Sequence, residues 1–454
     1  MNFFDNFKNK KTTVAGLGKS GISALNLLHS KGFNVCGCDI DENIVNKEEI
    51  KKLSGKNIEI FTGKDFDKKI AQSDLIILSP GIDQRSRIYE EAKAQNSAVV
   101  TGELELAWSY IKKPVIAVTG TNGKSTVTEL TAEILSFDNK KVFKGGNLGT
   151  PLSDAVLIQD DYDIMVIEVS SFQIDTSINF APDIAVLLNI TPDHLDRYEG
   201  FEGYKNSKLN IFKNMDSSHC AVLNRNDNIK INPSIKKIWF NTYLEDQNSA
   251  SAENGCLKIN INNIKQDFDL SRFKPEGKHN LENLSAAASA AVEAGATPEA
   301  IKKAIDCFSG LPHRMEYCKT VEKTKFINDS KATNPDSVLK ALQGLDGVIS
   351  LIMGGKDKGY DYAMLESIIN KKVENLILIG ETKEKIKKEV NFKGNIFFAI
   401  SMEDAVNKAF THIDGKGTVL FSPACSSFDM FKNYIHRGEV FKECVEKLQD
   451  KSHE

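Results

Sequence analysis

No stretch of this 454-residue chain approaches the ~18–20 consecutive apolar residues that a bilayer-spanning helix needs, so no insertion into a membrane is expected. The N-terminus, MNFFDNFKNKK, lacks the apolar core of a signal peptide, and a cytoplasmic protein is the expectation. Neither sign of charge prevails. The 58 Lys and Arg against 62 Asp and Glu leave −4, which argues against a chain-wide electrostatic grip on nucleic acid. The eight cysteines contain no CxxC pair, and a disulfide framework is not expected in a chain this long. Cys36 and Cys38 alternate in an apolar run and would share one side of a strand. There is no internal repeat and no low-complexity segment beyond an enrichment in Lys, Asn and Ile.

What is present is alternation. At ~150 residues per domain the length suggests about three domains. KTTVAGLG (11–18), FNVCGCDI (33–40) and SDLIILSPG (73–81) read as buried strands separated by helical stretches. A second cycle begins at Pro114, with strands at 115–120, 162–170 and 183–191, and a third follows FSGLPHRME (308–316). The polar, Asn-rich stretch 224–275 reads as antiparallel strands or loops, and residues 280–295 as an Ala-rich helix stopped by Gly295. Strand alternating with helix predicts an α/β chain of parallel sheets. The expected domains are 1–110 and 311–454, each Rossmann-like, around a central P-loop-type domain, 111–310.

Two glycine turns carry the chemistry. Gly16-Leu-Gly18-Lys19-Ser20-Gly21 follows a strand and opens a helix, and Asp39 ends the next strand. Glycines let the backbone approach a diphosphate at a helix N-terminus, so the motif indicates a nucleotide diphosphate better than it indicates NAD. Gly120-Thr121-Asn122-Gly123-Lys124-Ser125-Thr126 is a second strand–turn–helix, shorter than the strict GxxxxGK[ST] pattern. There Lys124 would reach the β/γ-phosphates of ATP and Ser125 would hold Mg²⁺. Two turns of different kind imply two nucleotide-like ligands. An NAD(P)-dependent oxidoreductase is the first rival and leaves GTNGKST unexplained; a regulatory ATPase module is the second. Downstream, Glu168 ends one strand and His194 follows another, a carboxylate and an imidazole fit to share a metal. Lys208, on a helical stretch, reads by itself as a surface lysine.

Taken together, TGTNGKST, EVSSFQ, NITPDHLDRY, GKHNLENLSAA, GLPHRME, INDSKATNPDS, MGGKDKG and SPACSSFDMFKNYIHRG resemble the Mur ligases, in the order expected of that family. SKATN and SPACSSFDMF point to its D-glutamate-adding branch; folylpolyglutamate synthases share the phosphate turn but lack the separate N-terminal nucleotide domain. The resemblance implies an ATP-dependent ligase working through an acyl phosphate, with substrates UDP-N-acetylmuramoyl-L-alanine, D-glutamate and ATP, two Mg²⁺ ions, no NAD and a monomeric chain. It implies that Gly18, Lys19, Ser20, Asp39, Ser79, Pro80, Gly81, Asn147 and His194 hold the uridine substrate. ATP would meet residues 120–126 together with Asn280, Asn283 and Arg314. Lys208 would be carbamylated and join Ser125, Glu168 and His194 as a metal ligand. Lys124, His194, Lys208, Asp329 and Lys331 would serve the reaction itself, and Thr333, Lys358, Ser427, Phe428 and Tyr434 would receive the amino acid. Phe428 stands where relatives often carry Leu.

Overall fold

Runs such as Val115–Thr119, Ile164–Glu168 and Ile184–Leu187 are mostly apolar and buried at every position, as strands covered on both faces must be. The computed structural model describes residues 2–82, 90, 98–193, 197–275, 277–413 and 416–448. Its strands form three sheets.

The first sheet contains β1 (Thr12–Ala15), β2 (Val35–Asp39), β3 (Ile60–Thr62), β4 (Leu75–Leu78) and β5 (Val99–Gly102). They run parallel in the order β3-β2-β1-β4-β5. The second contains β6 (Val115–Thr119), β7 (Val142–Gly146), β8 (Ile164–Glu168), β9 (Ile184–Leu187), β10 (Cys220–Asn224), β11 (Lys236–Phe240), β12 (Ser249–Glu253), β13 (Cys256–Ile261) and β14 (Ile264–Asp269). Its order is β14-β13-β12-β11-β10-β9-β6-β8-β7. The third contains β15 (Glu316–Val321), β16 (Lys323–Asn328), β17 (Ile349–Met353), β18 (Val373–Leu378), β19 (Asn395–Phe398) and β20 (Lys416–Phe421), ordered β15-β16-β20-β17-β18-β19. Only β15 is antiparallel there.

The Asn-rich stretch departs in part from expectation. β12, β13 and β14 form an antiparallel meander, but β11 pairs parallel with both β10 and β12. Its short KKIWF run carries no local mark of strand direction, which the longer-range pairing with β10 decides. The Ala-rich helix spans Lys278–Glu293. All eight cysteines are free, and no helix among the described residues is long and apolar enough to cross a membrane.

The chain forms two compact units. One runs to Pro192 and takes in Arg197–Leu270 and Glu282–Asp306; the other holds Asp193, Ser271–Leu281 and the chain from Cys307 onward. In the first unit one apolar cluster runs through both sheets, from Val14 and Leu104 to Met165 and Leu223. The helix Glu103–Tyr110 shows how closely they are joined. Its Glu103 and Glu105 are each 1% exposed, and each carboxylate is met by main-chain amides. Glu105 accepts from the N–H groups of Ile178, Asn179 and Phe180, and Glu103 from that of Ser153 at 2.6 Å.

Burial, with Asp154 adding to it and Ser153 opposing it, pushes the Glu103 carboxyl up to about 7. A carboxyl whose folded value is raised binds its proton more tightly in the folded chain, so its contribution to stability falls as pH rises from about 4.5 to 7. Glu103→Gln keeps an acceptor for Ser153 and removes the charge. The variant is expected to melt with the wild type at pH 5 and to gain on the order of 2 kcal/mol at pH 8. Thermal unfolding at the two pH values checks this; identical midpoints at pH 8 would count against it.

Candidate active site

In open parallel sheets, ligands collect beyond the carboxyl ends of strands where the strand order reverses. In the first sheet that point lies between β1 and β4. Gly16 there has φ +84°, and a Cβ on it would lie 2.9 Å from that of Ser79; a Cβ on Gly21 would lie 2.0 Å from the Gly16 oxygen. Only glycine lets strand and helix approach this closely. The helix Lys19–Ser30 starts with no side-chain cap and no acid in its first turn. Lys19 Nζ donates to the Gly149 oxygen at 2.5 Å. Asp39 accepts from Leu17 N at 2.6 Å and from Asp41 N at 3.0 Å, so its carboxylate braces the glycine turn from below. Gly18, Lys19, Ser20, Asp39, Ser79, Pro80 and Gly81 thus gather at one sheet edge.

The second turn follows β6, between β8 and β9. Gly120 and Gly123 have φ +152° and +92°, and the helix Lys124–Phe137 begins directly after them. Glu168, 3% exposed, joins this turn to the loop carrying Asn147: Ser125 Oγ donates to its Oε2 at 2.5 Å and Asn147 Nδ2 to its Oε1 at 2.9 Å. Ser125 and Asn147, expected at the phosphates and at the sugar nucleotide, therefore meet on one buried carboxylate. Asn283 also lies against the turn, since a Cβ on Gly123 would stand 2.4 Å from its Oδ1. Thr126 is buried in the first turn of the helix, beneath the loop.

Both expected lysines reach the same backbone atom. Lys124 Nζ donates to the Gly120 oxygen at 2.9 Å and to the Thr121 oxygen at 2.8 Å, and Lys208 Nζ donates to the Gly120 oxygen at 2.9 Å. Lys208 is 2% exposed, so the reading of it as a surface lysine fails. It stands on the helix Gly200–Leu209 four residues after Tyr204, whose ring lies 4.7 Å below its ammonium. The spacing puts both on one helix face. Tyr204 Oη in turn shares a hydrogen bond with Thr121 Oγ1 at 3.1 Å. Asn189 clamps the turn as well: Asn122 N donates to its Oδ1, its Nδ2 donates to the Asn122 oxygen, and Thr121 N donates to its main-chain oxygen. Tyr204 and Asn189 were not singled out from the sequence, although the first sits at i,i+4 to Lys208 and the second lies two residues past the end of β9.

His194 lies outside the described residues. Among the described residues no group of three or more His, Cys, Asp and Glu gathers as a metal site. Ser125 and Glu168 are nevertheless two hard oxygen donors within hydrogen-bond distance, the ligand type Mg²⁺ takes.

In the second unit the loops after β16, β17 and β20 stand side by side, because β20 lies between the other two. Asp329, 4% exposed, accepts from Ser422 Oγ at 2.7 Å and from Met315 N at 3.2 Å. Burial pushes its carboxyl up to about 6, against the Ser422 hydrogen bond and the charge of Arg314. Lys331 Nζ lies 5.6 Å over the ring of Tyr434, the first residue of the helix Tyr434–Glu446. Ser427 is buried and its oxygen accepts from Phe431 N, whereas Phe428 is 67% exposed. Lys358 Nζ stands 5.8 Å over Tyr360, on the loop whose Lys356 N donates to the Ser426 oxygen at 2.9 Å. Thr333 is half-buried just beyond Lys331. Asn280 is buried as the third residue of its helix, and Arg314 is half-buried in the turn before β15.

Three family descriptions match the chain in the order of its sheets: the Mur ligase MurD-like N-terminal domain over 10–101, the Mur ligase middle domain over 118–291, and the Mur ligase glutamate ligase domain over 313–425. Two relatives named UDP-N-acetylmuramoylalanine–D-glutamate ligase match along nearly all their length. That of Caldanaerobacter subterraneus is 40% identical over 450 residues, 97% of this chain and 99% of its own. That of Geotalea uraniireducens is 38% identical over 447, covering 97% and 98%. Among solved structures, a pseudomurein peptide ligase type C from Methanothermus fervidus shares the fold with a TM-score of 0.60 at 20% identity, covering 97% of this chain and 100% of that one. The MurF ligase from Thermotoga maritima in complex with ADP does so with a TM-score of 0.60 at 16% identity, covering 98% and 97%. Full-length identity to these enzymes and matches along all three sheets show that the chain belongs to the Mur ligase family.

Proposed function

We propose that this ligase joins D-glutamate to UDP-N-acetylmuramoyl-L-alanine at the expense of ATP, an amide-forming step of peptidoglycan synthesis. Residues 1–110 take the uridine nucleotide, 111–310 take ATP, and 311–454 take the amino acid. The observation that carries the reading is the buried Glu168 carboxylate, which holds Ser125 of the phosphate turn and Asn147 together. A phosphate turn coupled in this way to a sugar-nucleotide contact suits an enzyme that phosphorylates that substrate.

A carboxylate is a poor electrophile and needs activation before an amine attacks it. The substrate carboxylate takes the γ-phosphoryl group of ATP, giving an acyl phosphate and ADP. The amine of D-glutamate then attacks the acyl carbon and phosphate leaves. Lys124 neutralises charge on the transferring group, and Lys331 does the same beside the acyl phosphate. Lys358 and Ser427 hold the glutamate carboxylates; a lysine there recognises them as a point charge, without the bidentate fork of an arginine. Asp329 orients the Lys331 loop through its own backbone contacts. Ser125 would hold one Mg²⁺ at the phosphate turn, and Glu168, His194 and a carbamylated Lys208 would hold a second. Ions bound there would supply Lewis-acid charge neutralisation at the phosphoryl oxygens. Lys208 Nζ stands at the phosphate turn, on the Gly120 oxygen, and that position supports the reading in which its carbamate acts beside the phosphates.

Phosphate release with ATP, Mg²⁺ and UDP-N-acetylmuramoyl-L-alanine across a panel of amino acids tests the assignment. D-Glutamate is expected to stimulate release at least about tenfold over background. Stimulation only by L-alanine, a diamino acid or a dipeptide would reject it.

A further inference from the structure

Arg437 is 1% exposed and the bulkiest fully buried side chain described in the chain. Among the described residues its guanidinium hydrogen-bonds to no carboxylate. Nε donates to Ser330 Oγ at 3.1 Å, Nη2 to the Ser330 oxygen at 2.8 Å, and Nη1 to the oxygens of Cys425 and Ser426 at 3.1 Å each. A buried cation whose described hydrogen bonds all go to neutral acceptors is an expensive way to fill a core. What these acceptors share is location. Ser330 precedes Lys331, and Cys425 and Ser426 precede Ser427. Ser330 Oγ also donates to the Tyr434 oxygen at 2.8 Å, which extends the tie to a third segment.

One of these segments is held in a strained form. Ala424 has φ +59° and is fully buried; the left-handed region suits glycine and is unfavourable for a residue with a Cβ. Such a conformation persists only when its surroundings fix it, and Arg437 binds the carbonyls of the two residues that follow. The turned chain is held on its other side too, since the Lys356 N–H meets the Ser426 oxygen just before Ser427.

We propose that Arg437 is the positioning residue of the amino-acid subsite, fixing the Lys331 loop, the Ser427 turn and Tyr434 in one arrangement. This rests on the reading that those segments receive D-glutamate. The guanidinium never touches the substrate; it sets the spacing of the groups that do. A lysine keeps the charge but lacks the planar fork that spans two loops. A role confined to stability would weaken the fold without separating one substrate from another.

Steady-state kinetics of the full-length chain separate the two. In Arg437→Lys, KM for D-glutamate is expected to rise about tenfold or more while KM for ATP stays within about twofold. In Ala424→Gly the strain is relieved, so the thermal midpoint should not fall, yet the turn loosens and KM for D-glutamate should rise about threefold. An Arg437→Lys enzyme whose KM for D-glutamate is unchanged, or whose two KM values rise together, overturns the proposal. If that variant does not fold, Ala424→Gly decides, and an unchanged KM for D-glutamate overturns it. A wild-type enzyme that uses another amino acid overturns the reading of the substrate alone, and the KM comparison is then made with that amino acid.

Discussion

Lys208→Ala is expected to lower turnover by about 10³-fold while the chain stays folded and still binds ATP. Lys208 Nζ meets the Gly120 oxygen from the helix Gly200–Leu209, and Tyr204 on the same face holds Thr121. Truncation removes the long side chain but leaves Tyr204 and Asn189 to keep the phosphate turn in shape. The turn amides and Lys124 therefore still receive a triphosphate. What is lost is the ligand that carbamylation would create, and with it charge compensation in the transition state. Nucleotide binding by calorimetry beside single-turnover phosphate release distinguishes binding from chemistry. Full activity in the variant would refute the carbamate role.

Lys124→Met is expected to have an effect of similar size through a different route. The Lys124 ammonium is folded back onto the oxygens of Gly120 and Thr121, within its own turn. A four-carbon stem lets it leave those carbonyls for the β/γ-phosphates without moving the backbone. Methionine preserves the stem and loses the charge, so kcat should fall by about 10³-fold and the affinity for ATP should fall with it. The contrast lies in binding: the Lys208 variant retains ATP affinity and the Lys124 variant does not. Equal ATP affinities in the two variants would contradict the separate roles.

How much of this was legible in the sequence depends on how local the cause is. GLGKSG and GTNGKST announce their turns because glycine is required where φ is +84°, +152° or +92°, and a glycine is visible in the sequence. The buried parallel strands announce themselves as apolar runs. Lys208 was invisible as a buried residue, because a lysine looks the same inside a core as outside it; only the family resemblance singled it out. Nothing in the sequence marks Glu103 and Glu105 as buried, and the amides that make their burial tolerable come from segments 50 and 73 or more residues away. Asn189 and Arg437 act through backbone oxygens and amides, which carry no residue identity. β11 gave no sign of its parallel partner for the same reason: strand direction is settled across the sheet.

The position of β20 has a consequence for how the polypeptide is made. It is the last strand to be synthesised, yet it pairs with β16 on one side and β17 on the other. Until residues 416–421 leave the ribosome, β16 and the apolar β17 face a gap with their amides toward it unpaired. The second unit therefore closes late, by insertion of a central strand with long-range contacts, a slow kind of step. A transcript truncated between β17 and β20 yields a chain with an open sheet and exposed edges, a natural substrate for chaperones and proteases.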